Sequence, residues 1–532
     1  MNTYKKIVGM LSIALVVTIA NVTVPTGIVN ASAQKDKQGI DISTEFGRKA
    51  EKNLLSIQKQ ALEKKSMSDS KKTGAHTDYT AVSLIEFQNL KHNQIKPTTK
   101  ETFYTKDFNP NHYKDMLFQS GAYRTPEGVS MPSMNQFYKE QSENTWSMQG
   151  TVAPWMQAKN KKEYYGVGGE FEGFDGFKEL AKETLEQVGQ TIKGNEDKYD
   201  QRDPYDLDGD GNVMEPDGLL DNLTVVVAGS NADLYVVPHQ GTLKEPVQIP
   251  GTSLKAYSYM MVPEDTPVGT FAHEYGHNLG LPDLYNQSVK GESLVGNWSL
   301  MDLGASNGKI SGIEPVEFNP QSKLFLQATY GGNWIKPIEV DLDDLKEKKE
   351  ILLDEAVSKN SARKVIKVNL PPVEKDKKKY PRYYLIEWRS HNGLDKGLQH
   401  TFRGPTYDPG MVVWYYDGSY DQKNNYGMIG VVDAHPQTLY WNNDKSKPAE
   451  NAFQLADAAF GLRKTTPLKV ESYRGKIDSP SQEGVPIFND QNHYSLQGME
   501  SIGDLLPKLG LQFKVSKESN GGRGATIEIS KT

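Results

Sequence analysis

The residues best suited to chemistry are two histidines four positions apart, in the string His273-Glu274-Tyr275-Gly276-His277. On a helix, side chains at this spacing lie on one face, so the two imidazoles can bind one metal ion. Two imidazoles provide two of the three protein ligands of an open zinc site. Glu274 follows the first histidine, where its carboxylate can take a proton from a zinc-activated water and pass it to a leaving amine. The spacing therefore predicts a catalytic zinc ion, with Glu274 as the general base.

A third candidate ligand follows the second histidine. Gly280 comes three positions after His277, and Asp283 comes three positions after Gly280. Glycine permits the left-handed backbone with which a helix often ends, so the chain can turn back toward the metal. A carboxylate oxygen is an ordinary zinc ligand. We therefore predict that His273, His277 and Asp283 bind zinc, in preference to a simple turn role for Asp283.

The helix that would carry the two histidines has signals at both ends. Thr266 can cap its start, Pro267 fits its first turn and Gly280 suits its exit. A different zinc architecture takes its third ligand, a glutamate, from a separate downstream helix. The candidates for that role are Glu292, Glu314 and Glu317. Glycines and a proline interrupt this region, so we favour the closely spaced aspartate.

A methionine follows the third candidate ligand in the string Trp298-Ser299-Leu300-Met301-Asp302. A methionine in a tight apolar turn at this place is the Met-turn signature of the metzincins. Its polarizable side chain packs beneath the ligand imidazoles, and we predict this role for Met301. A second donor to the transition state is also expected; His239 and Tyr285 are candidates that the sequence does not separate.

An acidic stretch upstream has the spacing of a calcium loop. The candidate ligands are Asp206, Asp208, Asp210, Asn212 and Asp217. Asp217 takes the twelfth place of the loop, where a bidentate glutamate is usual. Carboxylates this close repel one another without a cation, so we predict a structural Ca²⁺ in preference to an ordinary turn. Further candidate ligands, which the sequence does not rank, are Asp203, Glu215 and Asp221.

The elements around these sites change in type along the chain. A strand at 81–87, a helix at 174–188 and a strand at 223–228 indicate a mixed α/β region. After it come short β-type runs, at 365–368, 383–388, 411–415, 428–432, 511–515 and 525–529. We therefore predict an α+β protein, with a metzincin-like mixed α/β catalytic domain at 78–320 and a β-rich C-terminal domain at 321–532.

The N-terminal residues have the features of an export signal. Lys5 and Lys6 precede an apolar run at 7–20, and a small-x-small pattern ends at residue 33. The run is too short and interrupted for a membrane anchor, so residues 1–33 are predicted to be a signal peptide of a secreted protein. Residues 34–77 are polar, with a helical pattern around 46–62. They are either a short prosegment or a linker, and composition does not separate the two.

Composition excludes several classes of function. The chain has 532 residues, a net charge of -7 and no cysteine. Its length suits more than one domain, and its mild negative charge argues against a nucleic-acid surface. The absence of cysteine excludes thiol nucleophiles and thiolate zinc ligands. No segment after the signal is apolar enough for stable membrane insertion.

The motifs resemble those of the M6 metallopeptidases, the immune inhibitor A-like family. Residues 271–285 are similar to its active-site signature and residues 298–301 to its Met-turn. Similarity also covers Tyr384–Arg389 and Gly430–Ala434. The resemblance implies an exported bacterial zinc endopeptidase, made as a precursor, that acts on extracellular proteins or antimicrobial peptides. The zinc ligands and the base Glu274 match position by position.

These observations favour a secreted zinc endopeptidase with protein or peptide substrates. One alternative is a non-catalytic extracellular binding protein on the same fold, but that protein would be expected to lose the base or a ligand. Another is a zinc amidase acting on cell-wall peptides, but the chain has no separate wall-binding repeat. The sequence predicts no oligomeric state.

Overall fold

The computed structural model of the protein describes residues 39–63, 74–96, 102–167, 174–230, 237–285, 293–420, 427–472 and 474–532. The predicted signal peptide, residues 1–33, lies outside these ranges. The helices are α1 (Glu45–Glu63), α2 (Pro110–Phe118), α3 (Met134–Gln141), α4 (Asp175–Glu183), α5 (Leu185–Ile192), α6 (Val268–Asn278), α7 (Pro320–Tyr330) and α8 (Asn451–Gln454). Within the described ranges, no helix combines the length and the apolar character needed to cross a membrane.

The strands lie in several sheets. They are β1 (His76–Glu86), β2 (Ala122–Arg124), β3 (Ser130–Pro132), β4 (Trp146–Gln157), β5 (Leu223–Val227), β6 (His239–Gln248), β7 (Lys255–Pro263), β8 (Ile338–Asp341), β9 (Lys349–Asp354), β10 (Val365–Lys375), β11 (Lys378–Arg389), β12 (Gly410–Asp417), β13 (Met428–Val431), β14 (Leu468–Ser472), β15 (Gly475–Ser479), β16 (Ile487–Asn489), β17 (Leu511–Glu518) and β18 (Gly524–Lys531).

The sheet of the N-terminal half has the strand order β4-β1-β5-β7-β6. β1 pairs in parallel with β4 and β5, and β5 pairs in parallel with β7. β6 runs antiparallel to β7 and forms one edge. Strands inside a mainly parallel sheet are buried on both faces and are apolar throughout, and every residue of β5 is buried. The strands predicted near 81–87 and 223–228 are therefore confirmed as β1 and β5.

Helices cover both faces of this sheet. Successive residues of a strand point to opposite sides, so neighbouring residues of β5 pack in different cores. Val225 shares a core with Phe177 of α4. The neighbouring Val226 shares a different core with Phe271 of α6. α6 starts five residues after β7 ends, so the sheet fixes the start of the helix that carries both histidines.

The helix predicted over 174–188 is divided into α4 and α5, so the prediction of one continuous helix was wrong. The division falls at Thr184, whose hydroxyl donates to the carbonyl of Ala181 at 2.7 Å. A threonine hydroxyl that bonds the preceding helical turn competes with the backbone and bends the helix. The two short helices still cover the same face of the sheet.

The C-terminal half contains two larger sheets, in the orders β13-β12-β11-β10-β8 and β16-β17-β18-β9. The side chains of β11 alternate between two cores. Leu385 belongs to the core shared with the N-terminal half, whereas Tyr384 and Ile386 belong to a core with residues of the second of these sheets. An α+β fold with a β-rich C-terminal region is therefore confirmed. The domain boundary at residues 320 and 321 stays a prediction.

The helical pattern predicted around 46–62 is confirmed as α1. Ala50 and Leu54 of this helix share a small core with Tyr257. Gln58 donates its Nε2 to the carbonyl oxygen of Gly280 at 2.7 Å. The first helix of the chain therefore contacts the turn that follows α6.

Candidate metal centre

The three predicted zinc ligands converge at the end of α6. Each of His273, His277 and Asp283 has a ligand atom within 4.8 Å of the ligand atoms of the other two. Oδ1 of Asp283 lies 3.1 Å from Nε2 of His273 and 3.3 Å from Nε2 of His277. The two Nε2 atoms are 3.2 Å apart. Two helical side chains and one returning carboxylate therefore face a common point.

Backbone carbonyls fix the orientation of both imidazoles. Nδ1 of His273 donates to the carbonyl of Leu300 at 2.8 Å, and Nδ1 of His277 donates to the carbonyl of Leu281 at 2.7 Å. Because a carbonyl can only accept, each Nδ1 carries a proton, and Nε2 is the ring nitrogen left to bind a metal. Two ring nitrogens and a carboxylate oxygen at one point need a metal ion or a shared proton between them. The donor set is therefore suited to a divalent metal such as zinc.

Glycine makes the return of the chain possible. Gly280 has a φ of +83°, and a Cβ there would contact Leu54 and Phe325 at 3.4 Å. The amide of Leu281 donates to the carbonyl of Gly276 at 3.0 Å, which closes the end of the helix. The predicted exit at Gly280 is confirmed, because a side chain there would adopt a strained backbone against packed neighbours.

The predicted cap at the start of α6 was wrong. The hydroxyl of Thr266 donates to the carbonyl of Pro263 at 2.7 Å and does not accept from the helix. Pro267 takes the capping position and makes no side-chain bond to the helix. Instead, the carbonyl of Gly312 accepts from the amide of Gly269 at 2.9 Å. A distant loop thus satisfies a helix amide that a local side chain was expected to satisfy.

Met301 packs directly beneath the histidine helix. It is fully buried, and a Cβ placed on Gly276 would lie 2.6 Å from its sulfur. Its carbonyl accepts from the amide of Leu284 at 2.8 Å, next to Asp283. The turn at residues 298–302, called the methionine turn below, therefore contacts both the helix and the segment that carries the third candidate ligand.

Burial and opposite charges act together on the ionisable groups of the centre. Burial opposes protonation of His273, but the carboxylates of Asp283 and Glu274 outweigh it and raise its pKa to about 9. Burial would raise the pKa of Asp283, yet the two imidazoles hold it well below its usual range. Glu274 is only 5% exposed, and burial raises its pKa against the effect of both imidazoles. The carboxyl of Glu274 therefore lies buried beside the two imidazoles.

Tyr285 is the candidate second donor that lies at this centre. Its ring is nearly parallel to that of His273, with the centroids 6.5 Å apart. His239 lies elsewhere, against Phe174 and Phe177, and its Nδ1 donates to a backbone carbonyl.

The alternative glutamate ligands have other partners where the structure describes them. Glu314 pairs with Lys396 at 2.5 Å and with His400 at 2.8 Å. Glu317 pairs with Lys323 at 2.7 Å. Glu292 lies outside the described residues. Neither described glutamate takes the place that Asp283 has beside the histidines.

The acidic loop brings three of the predicted calcium ligands together and places two further acidic residues beside one of them. Oxygens of Asp206, Asp208 and Asp210 lie within 4.8 Å of one another. A second group of the same size combines Asp208 with Asp203 and Glu215, both of which the sequence left unranked.

The remaining predicted calcium ligands have other bonds. Asn212 donates its side-chain nitrogen to Glu215 at 2.5 Å. Asp217 belongs to neither group; its Oδ1 accepts from the amide of Leu219 at 2.7 Å, whereas its Oδ2 is buried without a hydrogen-bond partner. Burial, with the charges of Asp203 and Asp200, raises the pKa of Asp217 to about 7. Because one of its oxygens has no partner, the role of Asp217 as a calcium ligand stays a prediction.

Comparison with known proteins covers both halves of the chain. The family model described as Immune inhibitor A peptidase M6, catalytic domain, matches residues 66–236 and 232–335. The model described as Immune inhibitor A-like metallopeptidase, VEG domain, matches residues 377–527. Immune inhibitor A of Bacillus thuringiensis subsp. alesti is 28% identical over 85% of this chain and 92% of its own length. Pre-pro-metalloprotease PrtV of Vibrio cholerae serotype O1 (strain M66-2) is 25% identical over 94% of this chain and 75% of its own length. The chain thus belongs to the immune inhibitor A-like M6 family of metallopeptidases.

Proposed function

We propose that this protein is a secreted zinc endopeptidase that hydrolyses peptide bonds of extracellular proteins or antimicrobial peptides. The convergence of His273, His277 and Asp283 beside the buried Glu274 carries the proposal. A bound zinc ion supplies Lewis-acid chemistry, which acidifies water and polarises a peptide carbonyl. A binding protein without turnover would have no need for a buried base next to these ligands.

Residues of the chain orient the ligands, transfer the proton and stabilise the oxyanion. The carbonyls of Leu300 and Leu281 hold the imidazoles so that both Nε2 atoms face the metal position. The carboxylate of Glu274 takes a proton from the attacking water and delivers it to the nitrogen of the leaving amine. Tyr285 stands beside the ligands, where its hydroxyl can donate to the oxyanion of the transition state.

The test of this function is protein cleavage by the full chain with Glu274→Gln as the key variant. Glutamine has nearly the same shape but cannot accept the proton, so cleavage of casein should fall by about 10²–10⁴-fold. Zinc content should stay unchanged, because Glu274 is not a ligand. Glu186→Gln, a change outside the site, is the matched control. Full activity in Glu274→Gln would refute the role of the base. Zinc-dependent release of peptides from cell walls, without cleavage of casein, would favour the amidase.

Calcium at the acidic loop is a second part of the proposal. Asp203 is 2% exposed, and its Oδ1 has no hydrogen-bond partner. A buried carboxylate oxygen without a partner is costly unless a cation binds it. We therefore add Asp203 and Glu215 to the proposed ligands Asp206, Asp208 and Asp210; Asp217, whose Oδ2 is also buried without a partner, stays a candidate that the variants below test.

The loop also contacts α1, which suggests what the calcium stabilises. Lys49 donates to the carbonyl of Leu207 at 2.8 Å, and Asn53 donates to the carbonyl of Asp206 at 2.9 Å. A calcium chelator should lower the melting temperature of the wild-type protein. Asp203→Asn should remove most of this sensitivity, whereas Asp217→Asn should keep it if the second group is correct. The reverse order would favour the twelve-residue loop that the sequence predicted.

Export and domain limits complete the proposal. We expect cleavage of the signal peptide after Ala33, a catalytic domain at 78–320 and a β-rich domain at 321–532. Residues 34–77 remain either a prosegment or a linker; α1 and its contacts lie in this segment. N-terminal sequencing of the protein from culture medium tests the first point, because it should begin at Gln34 or after a later maturation cut.

A further inference from the structure

The backbone of the methionine turn controls the orientation of one metal-binding imidazole. The carbonyl of Leu300 accepts from Nδ1 of His273 at 2.8 Å. A shift of this carbonyl would turn the ring or change its tautomer, and Nε2 would lose its direction. The contacts that hold residues 297–300 in place therefore also orient His273, a proposed zinc ligand.

Residues of the β-rich half hold this turn. Arg389, the last residue of β11, donates from Nη1 to the carbonyl of Trp298 at 2.9 Å. Its guanidinium carbon lies 5.5 Å from the centroid of the Trp298 ring. The indole Nε1 of Trp298 donates to the carbonyl of Leu455 at 3.1 Å. The hydroxyl of Tyr407 accepts from the amide of Asn297 at 3.2 Å.

Arg389 is itself fixed in one position. Its side chain is fully buried. Nε and Nη2 donate to the two carboxylate oxygens of Asp395 at 2.9 and 2.6 Å, and Nη1 also donates to Glu387 at 3.0 Å. A bidentate pair with a carboxylate adds geometric precision to the charge attraction. The guanidinium can therefore transfer the rigidity of the sheet to the carbonyl of Trp298.

We propose that Arg389 is a positioning residue for the metal centre. It fixes the carbonyl of Trp298 and, through the following turn, the Leu300 carbonyl that orients His273. The β-rich half is then part of the catalytic unit, because it adds this support to the bond that the amide of Leu300 makes with the carbonyl of Glu317 at 3.1 Å. The inference rests on the proposed zinc site and gives the C-terminal half a role in it.

The test uses the full chain and measures the metal as well as the activity. Arg389→Lys keeps the charge but cannot bond Asp395 in bidentate fashion and also reach Trp298. The zinc dissociation constant should rise about 10–100-fold, the range seen when groups that orient a ligand are lost. The visible absorption bands of the cobalt-substituted protein should shift. For protein cleavage, kcat should fall and KM should stay within about twofold.

A control separates positioning from general stability. Ile527 is fully buried in the core of the C-terminal sheets and belongs to β18, away from the turn. Ile527→Ala should lower the melting temperature while the zinc dissociation constant and the cobalt spectrum stay as in the wild type. If Arg389→Lys behaves like this control, with unchanged zinc affinity and spectrum, the positioning role is overturned.

A milder variant covers the case in which Arg389→Lys does not fold. Tyr407→Phe removes a hydroxyl that accepts from the amide of Asn297 on the same turn and donates to the carbonyl of Ala452. It should weaken zinc binding in the same direction by a smaller factor, and unchanged affinity would count against the proposal. A wild-type protein that binds zinc but cleaves no protein would refute the proposed function. The zinc and cobalt measurements would still decide the role of Arg389.

Discussion

Replacing Gly276 with alanine should displace Met301 and weaken zinc binding. The new Cβ would lie 2.6 Å from the sulfur of Met301 and 3.2 Å from its Cε. Normal contact begins near 3.5 Å, so the two groups must separate by about 1 Å. Met301 is fully buried, and packed neighbours must absorb the movement. Overpacking of this kind costs about 1–3 kcal/mol.

The variant also gains helix propensity, which makes its two effects separable. Alanine in place of glycine inside a helix is favourable by about 1 kcal/mol. The net change in the free energy of unfolding should therefore be a loss of about 0–2 kcal/mol. Zinc affinity should fall more clearly, about tenfold or more, because Met301 follows the Leu300 carbonyl that orients His273.

Thermal unfolding and competition with a chelator measure the two quantities. Gly74→Ala is the control, since a Cβ there meets nothing within 4 Å. In the double variant with Met301→Ala, the truncated side chain leaves room for the new methyl group, so the double variant should lose less stability than the sum of the single changes. If Gly276→Ala gains about 1 kcal/mol and binds zinc like the wild type, the packing argument is wrong.

Two further predictions concern the N-terminal segment. Although burial raises the pKa of Asp41, bonds from Lys178 and Ser43 lower it to about 2, so its ionised form should stabilise the fold by about 2 kcal/mol above pH 4. The stability difference between wild type and Asp41→Asn should vanish as the pH falls through 2 in acid-unfolding curves, and a constant difference would contradict it. Gln58→Met should leave the carbonyl of Gly280 without its partner and cost about 1–3 kcal/mol by denaturant unfolding, whereas Gln60→Met, on the exposed side of α1, should be neutral.

The sequence predicted the metal centre because its geometry is local. His273 and His277 are one helical turn apart, and a glycine with positive φ returns the chain to them within a few residues. The helical repeat and the glycine at the end of the helix define such an arrangement without contacts from distant segments. The buried strands β1 and β5 were predictable for a similar reason, since continuous apolar runs mark the interior of a parallel sheet.

The remaining parts depend on contacts between distant segments. Nothing near Thr266 signals that Gly312, far along the chain, would supply the bond expected of a cap. The loop spacing did not rank Asp203 and Glu215, which the folded chain brings together with Asp208. Sequence spacing predicts ligands by their position in the loop, whereas the folded chain determines which oxygen atoms lie close together.

The support of His273 shows why a metal-binding motif alone does not make a metal site. The helix sets the spacing of the imidazoles, but it leaves each ring free to rotate and to exchange tautomers. The carbonyl of Leu300 removes that freedom for His273. That carbonyl is fixed by a turn whose neighbouring carbonyl, at Trp298, is bonded to Arg389 in the other half of the chain. The precision of the centre therefore depends on the docking of the two halves, and changes at their interface should alter metal affinity before they alter the fold.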